Sequence, residues 1–106
     1  MPRSPYGVTK LGAEQLCRVY HADHGLDTVA LRFFTVYGPR QRPDMAFRRF
    51  CEAAAEGAPI ELYGDGRQSR DFTYIDNVVD GNLRALTARG LKGQSINLAT
   101  GHSVTL

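Results

Sequence analysis

The chain has 106 residues, the length of one small domain, and its 42% apolar and 23% charged content is ordinary for a globular protein. A net charge of +2, with basic and acidic residues alternating and no polybasic run, excludes the electrostatic footprint of a nucleic-acid or membrane-surface binder. No apolar run approaches the roughly 20 residues of a bilayer crossing, and the two distant cysteines, Cys17 and Cys51, predict reduced, buried thiols of a cytoplasmic protein rather than a disulfide scaffold.

Ser4-Pro5 is a helix opening, serine as N-cap and proline at the first helical position. Apolar residues recur at near-helical spacing (Val8, Leu11, Leu16, Val19, Tyr20) until Gly25 stops them. Thr28 to Phe34 is almost continuously apolar and predicts a strand buried on both faces of a parallel sheet. Gly38-Pro39 and Pro43 then predict a loop over 35–44, and Met45 to Glu56 a helix closed by Gly57. Ile60–Tyr63 and Phe72–Ile75 read as two short strands around the turn Gly64-Asp65-Gly66. Asp76 is placed to cap a helix through Val78, Val79, Leu83 and Leu86 that ends near Gly90. Ser95 to Ala99 reads as a last buried strand, Thr100-Gly101-His102 as a turn, and Val104-Thr105-Leu106 as the start of another element.

Chemistry concentrates at three places. Tyr6 and Lys10 are four residues apart and share a helix face. An ammonium held beside a phenol favours the phenolate, the form that accepts a proton near neutral pH. Only Lys10 and Lys92 are lysines, so the spacing is not a product of composition. The loop after Phe34 leaves the carboxyl end of the predicted parallel strand, where open α/β sheets bind ligands, and it offers Thr35, Tyr37, Arg40, Gln41 and Arg42. A third set, Gly64 to Asp71, adds Arg67 and Arg70; Arg70 precedes an apolar strand that would fix its stem for an anionic, phosphate-bearing ligand. His21 and His24 have helical metal-ligand spacing but no third ligand, and a surface role is the better reading.

Taken in order, Tyr6-Gly7-Val8-Thr9-Lys10, Leu31-Arg32-Phe33-Phe34-Thr35-Val36-Tyr37-Gly38-Pro39-Arg40, and Gly64-Asp65-Gly66 through Arg70-Asp71-Phe72-Thr73-Tyr74-Ile75-Asp76-Asn77-Val78 resemble the extended short-chain dehydrogenase/reductase family, the NAD-dependent sugar-nucleotide epimerases and dehydratases. The resemblance implies an α/β fold, a partial Rossmann-type doubly wound parallel sheet with part of a small substrate-binding domain. Residues 1–34 and 76–100 would be the Rossmann-type elements and 35–75 the substrate-binding insertion. It implies Tyr6 as the base that takes the sugar 4-hydroxyl proton, and Lys10 as the residue that bonds the nicotinamide ribose of NAD. Tyr37, Gly38 and Pro39 would shape the nicotinamide and sugar end, and Arg70 would pair with the nucleotide diphosphate. Family members are usually homodimers.

Within that family, Phe-Thr-Val-Tyr-Gly-Pro followed by Arg42-Pro43-Asp44-Met45-Ala46 looks like the UDP-glucuronate 4-epimerases. The Thr35 hydroxyl would donate to the sugar carboxylate, and Arg42 would sense its charge. The implied substrate is a UDP-sugar, turned over through a 4-keto intermediate. UDP-hexose 4-epimerases, nucleotide-sugar 4,6-dehydratases and UDP-glucuronate decarboxylases are the neighbouring readings. The family's Gly-x-x-Gly-x-x-Gly turn and third catalytic hydroxyl have no counterpart among the 106 residues. That gap predicts a truncated chain that is inactive alone, leaves apolar faces uncovered and folds poorly or associates; a non-catalytic interaction module is the alternative of another class.

Overall fold

The computed structural model describes residues 1–105. In chain order these form α1 (Pro5–His24), β1 (Ala30–Phe33), β2 (Thr35–Tyr37), α2 (Ala46–Glu56), β3 (Ser69–Tyr74), α3 (Ile75–Thr87), β4 (Ser95–Leu98) and β5 (Ser103–Thr105). They divide into two compact units. One joins Met1–Arg32 to Asp80–Leu98; the other joins Phe33–Val79 to the residues from Ala99 onward.

In the first unit, α1 begins where the sequence predicts. The Ser4 side chain accepts from the Gly7 N–H at 3.1 Å, and Pro5 fills the first turn. It ends at Gly25, whose φ of 65° lets its N–H reach the His21 carbonyl while the Leu26 N–H reaches that of Tyr20. β1 and β4 form a two-stranded sheet. The loop before β4 is stitched to the approach to β1 by Ala30 N–H to Gln94 O and Gly93 N–H to Thr28 O, both 2.9 Å. The Thr28 hydroxyl donates to the Cys17 carbonyl of α1 at 3.0 Å, tying helix to strand.

In the second unit the sheet order is β2-β3-β5. β2 runs parallel to β3, with Thr35 opposite Phe72 and Tyr37 opposite Tyr74. β5 runs antiparallel to the other half of β3, with Arg70 opposite Val104 and Asp71 opposite Ser103. α2 lays Phe47 on this sheet: its ring stacks on Tyr37 at 4.7 Å and meets Phe72 edge-on at 4.7 Å, while Tyr37 also touches Tyr74 at 5.4 Å. Val78, at the start of α3, is the one buried apolar residue among those described.

The α/β class with parallel strand pairing is as expected from sequence. Several details are not. The expected strand through Phe34 breaks there, and Phe33 and Phe34 are half exposed rather than buried on both faces. Residues 35–37 belong to β2, not to a loop, because Thr35-Val36-Tyr37 finds a parallel partner in β3. Ile60–Tyr63 forms no strand: the Tyr63 carbonyl is taken by the Gln68 side chain at 2.6 Å instead of by a neighbouring strand. β3 starts at Ser69, three residues before Phe72, since β5 pairs with that earlier half. α3 already begins at Ile75, so Asp76 lies in its first turn rather than capping it, and the helix stops at Thr87. Cys17 is half-buried and Cys51 exposed, both as free thiols, where buried ones were expected.

Candidate functional site

The first unit carries Tyr6 and Lys10 on the opening turns of α1. Helical spacing brings the Lys10 Nζ over the Tyr6 ring, 5.4 Å from its centroid, within reach of a cation–π contact. Tyr6 is largely exposed, so its hydroxyl is open to a ligand. One turn beyond Lys10, Glu14 accepts both arms of the Arg32 fork at 2.7 and 2.6 Å and the Ser95 hydroxyl at 2.7 Å. Hydrogen bonding to Arg32 first, and then to Ser95, lowers the Glu14 carboxyl to about 2, against a smaller upward push from burial. The helix that bears Tyr6 and Lys10 is thereby fastened to β1 and β4.

The second unit holds a cleft of about 390 Å³ whose lining includes Thr35 from β2, Arg49 from α2, Tyr63, and Arg70 and Phe72 from β3. The parallel register explains the meeting of Thr35 and Arg70. Thr35 lies opposite Phe72, and Arg70 and Phe72 point to the same face because strand side chains alternate. Arg49 donates to Glu61 at 3.2 Å, and its guanidinium lies over the Tyr63 ring at 5.0 Å. Sequence reasoning missed Arg49 and Glu61, which meet across twelve residues of chain that no local pattern joins.

Arg42 is not in that lining. Asp44 holds it in a fork, Nε to Oδ1 at 3.1 Å and Nη2 to Oδ2 at 2.9 Å, in an exposed pair. The Tyr37 ring is engaged by Phe47 and Tyr74. Gly38 lies against the first residue of α3: a Cβ there would come within 2.5 Å of Ile75 Cγ2 and 3.0 Å of Ile75 Cβ. Pro39 follows in the turn that leaves β2. The histidine pair serves the end of α1, where His21 Nδ1 meets the Leu26 carbonyl at 2.8 Å and His24 packs on Tyr20. Among the described residues no group of three His, Cys, Asp or Glu is arranged to hold a metal, and no helix is long and apolar enough to cross a membrane.

Behind the cleft, on the opposite face of β3, Asp71 is nearly buried. Its carboxylate accepts from the Thr100 N–H at 3.1 Å, the Thr100 hydroxyl at 2.9 Å, the Gly101 N–H at 2.7 Å and the Thr73 hydroxyl at 3.4 Å. Burial raises this carboxyl, but the bonds from Thr100, Gly101 and Thr73 outweigh it and hold it below the ordinary range.

The chain is thus of the α/β class, with a tyrosine–lysine pair on one helix and an arginine-lined cleft beside a parallel strand pair. Residues 1–99 match the NAD dependent epimerase/dehydratase family, and the chain belongs to it. It is 54% identical over 97 residues to an uncharacterized UDP-glucose epimerase, YtcB, of Bacillus subtilis, covering 92% of this chain and 31% of that protein. It is 49% identical over 100 residues to the UDP-glucuronate 4-epimerase of Thermodesulfobacterium geofontis, covering 94% and 30%. Among solved structures, the UDP-glucuronic acid 4-epimerase of Bacillus cereus in complex with UDP-glucuronic acid and NAD superposes with a TM-score of 0.89 at 49% identity. That match covers 99% of this chain and 34% of the other. The chain thus spans about a third of the length of these relatives.

Proposed function

We propose that this chain supplies the proton-transfer residues and part of the nucleotide-sugar site of an NAD-dependent UDP-glucuronate 4-epimerase. The observation that carries the reading is the cleft that Thr35 and Arg70 share, which offers a hydroxyl at one point and a guanidinium at another. A planar guanidinium suits a diphosphate, and the threonine hydroxyl suits the carboxylate of a uronic acid. Relatives named for UDP-glucuronate support the choice of sugar.

The unit that bears Tyr6 and Lys10 would be the Rossmann-type, cofactor side, and the unit that bears Thr35 and Arg70 the substrate side. The exposed phenol of Tyr6 and the ammonium of Lys10 present a donor pair that fits the ribose hydroxyls of NAD. When bound, NAD supplies a reversible hydride acceptor at the sugar carbon. Tyr6 takes the 4-hydroxyl proton and returns it when the hydroxyl re-forms on the other face of the ring. Lys10 holds a positive charge over the Tyr6 ring, on the same helix face as the phenol. Gly38, which packs closely on Ile75, and its neighbours Tyr37 and Pro39 bound the nicotinamide and sugar end. The same reading makes the protein a cytoplasmic homodimer.

One observation favours a second reading. Arg42 is occupied by Asp44, so Thr35 lacks a cation from that side, as suits the neutral sugar of a UDP-hexose 4-epimerase. Titration calorimetry of the chain with UDP-glucuronate and with UDP-glucose separates the two. Under the glucuronate reading the acid binds more tightly and Thr35→Val removes the preference; equal affinities overturn it. In a polypeptide that carries this sequence and turns over UDP-glucuronate, Tyr6→Phe lowers kcat by about 100-fold or more.

A further inference from the structure

Arg70 sits on the weakly held half of β3. The residues Phe72, Thr73 and Tyr74 pair with β2, whereas Ser69, Arg70 and Asp71, among the described residues, pair only with the three-residue β5. A ladder of three pairs does little by itself to fix a strand end. Asp71 supplies what the ladder lacks. It faces away from the cleft, yet its carboxylate gathers both backbone donors and the hydroxyl of the Thr100–Gly101 turn that leads into β5. The Thr100 hydroxyl is itself bonded by the His102 N–H at 3.2 Å, which carries the grip to the residue before β5.

We propose that Asp71 is a positioning residue for nucleotide-diphosphate recognition: by gripping the Thr100–Gly101 turn it locks β5 onto β3 and so holds Arg70 at the cleft. The proposal rests on the nucleotide-sugar reading of that cleft. Burial favours Asp71 for the task over a serine or asparagine. Three N–H and O–H donors from one turn need an acceptor-only group with several lone pairs, and a carboxylate is that group. An amide would turn its NH₂ toward donors and push the turn away.

The test is calorimetric titration of the 106-residue chain with UDP, well below its unfolding midpoint. Arg70→Ala and Asp71→Asn each weaken binding, Asp71→Asn by about tenfold, since displacing a bidentate arginine by a fraction of an ångström loses its paired geometry. Thr100→Val removes one donor and leaves two, and weakens binding by about threefold; it carries the test if Asp71→Asn does not fold. The deciding arm is the double variant. If Asp71 acts through Arg70, Asp71→Asn adds nothing in the Arg70→Ala background. The same loss in both backgrounds, or a lowered melting temperature with unchanged UDP affinity, overturns the proposal while leaving the cleft a nucleotide site. A chain that binds no UDP in any form overturns the nucleotide reading and the proposal together.

Discussion

Glu14 shows how much of the first unit depends on one side chain. It accepts from β1 through Arg32 and from β4 through Ser95, two turns along the helix from Tyr6. Its folded carboxyl titrates at about 2 against an ordinary value of 4.5, so the unfolded chain takes up the proton first. The stabilisation it gives is therefore complete above about pH 4.5 and is lost as the pH falls toward 2. Asp71, also lowered, contributes with the same sign. Thermal melts followed by circular dichroism should show Glu14→Gln melting below the unmodified chain at pH 6, with the gap closing by about pH 2.5. A gap that persists unchanged at low pH would mean that the carboxylate charge is not what holds the helix. None of this was legible in sequence, because Arg32 and Ser95 lie 18 and 81 residues away from Glu14. Tyr6 and Lys10 were legible, since one helical turn relates them.

At the scale of elements, the helices were easier to read than the strands because their signals are local. Ser4, Pro5 and Gly25 each act through bonds within a few residues, and α1 spans the predicted stretch. Strands need a partner that sequence does not name. Thr35-Val36-Tyr37 looked like the start of a loop until β3 paired with it, and Ile60–Tyr63 looked like a strand but has none beside it. Thr35 and Arg70 were singled out separately, by motif; what brings them into one cleft is a register. Local origin also makes α1 testable by its cap. Ser4→Ala removes the acceptor of the Gly7 N–H and should cost about 1 kcal/mol of stability. The loss should be accompanied by faster hydrogen exchange at Gly7, in the turn that carries Tyr6. Denaturant unfolding and exchange measured on the same variant check both; unchanged exchange at Gly7 would place the loss elsewhere.

At the scale of the whole molecule, uncovered apolar surface is the dominant fact. On α1 alone Val8, Leu16, Val19 and Tyr20 are each about half exposed or more, and on α3 Leu83 and Leu86 are 59% and 80% exposed. The spacing that marks these residues as the inward face of amphipathic helices is the spacing from which the helices were predicted, so the sequence implies cover that neither unit provides by itself. Apolar area left in water at roughly 25 cal/mol per Å² is a strong drive toward association. The chain should therefore self-associate at tens of micromolar in sedimentation velocity. Leu16→Glu, which puts a charge on an already exposed site, should shift it toward monomer while leaving the helical circular dichroism in place. Leu86→Glu should do the same from the other helix. A chain that sediments as a monomer across that range, with a cooperative melt, would show that these faces are tolerated in water and that the predicted association is wrong.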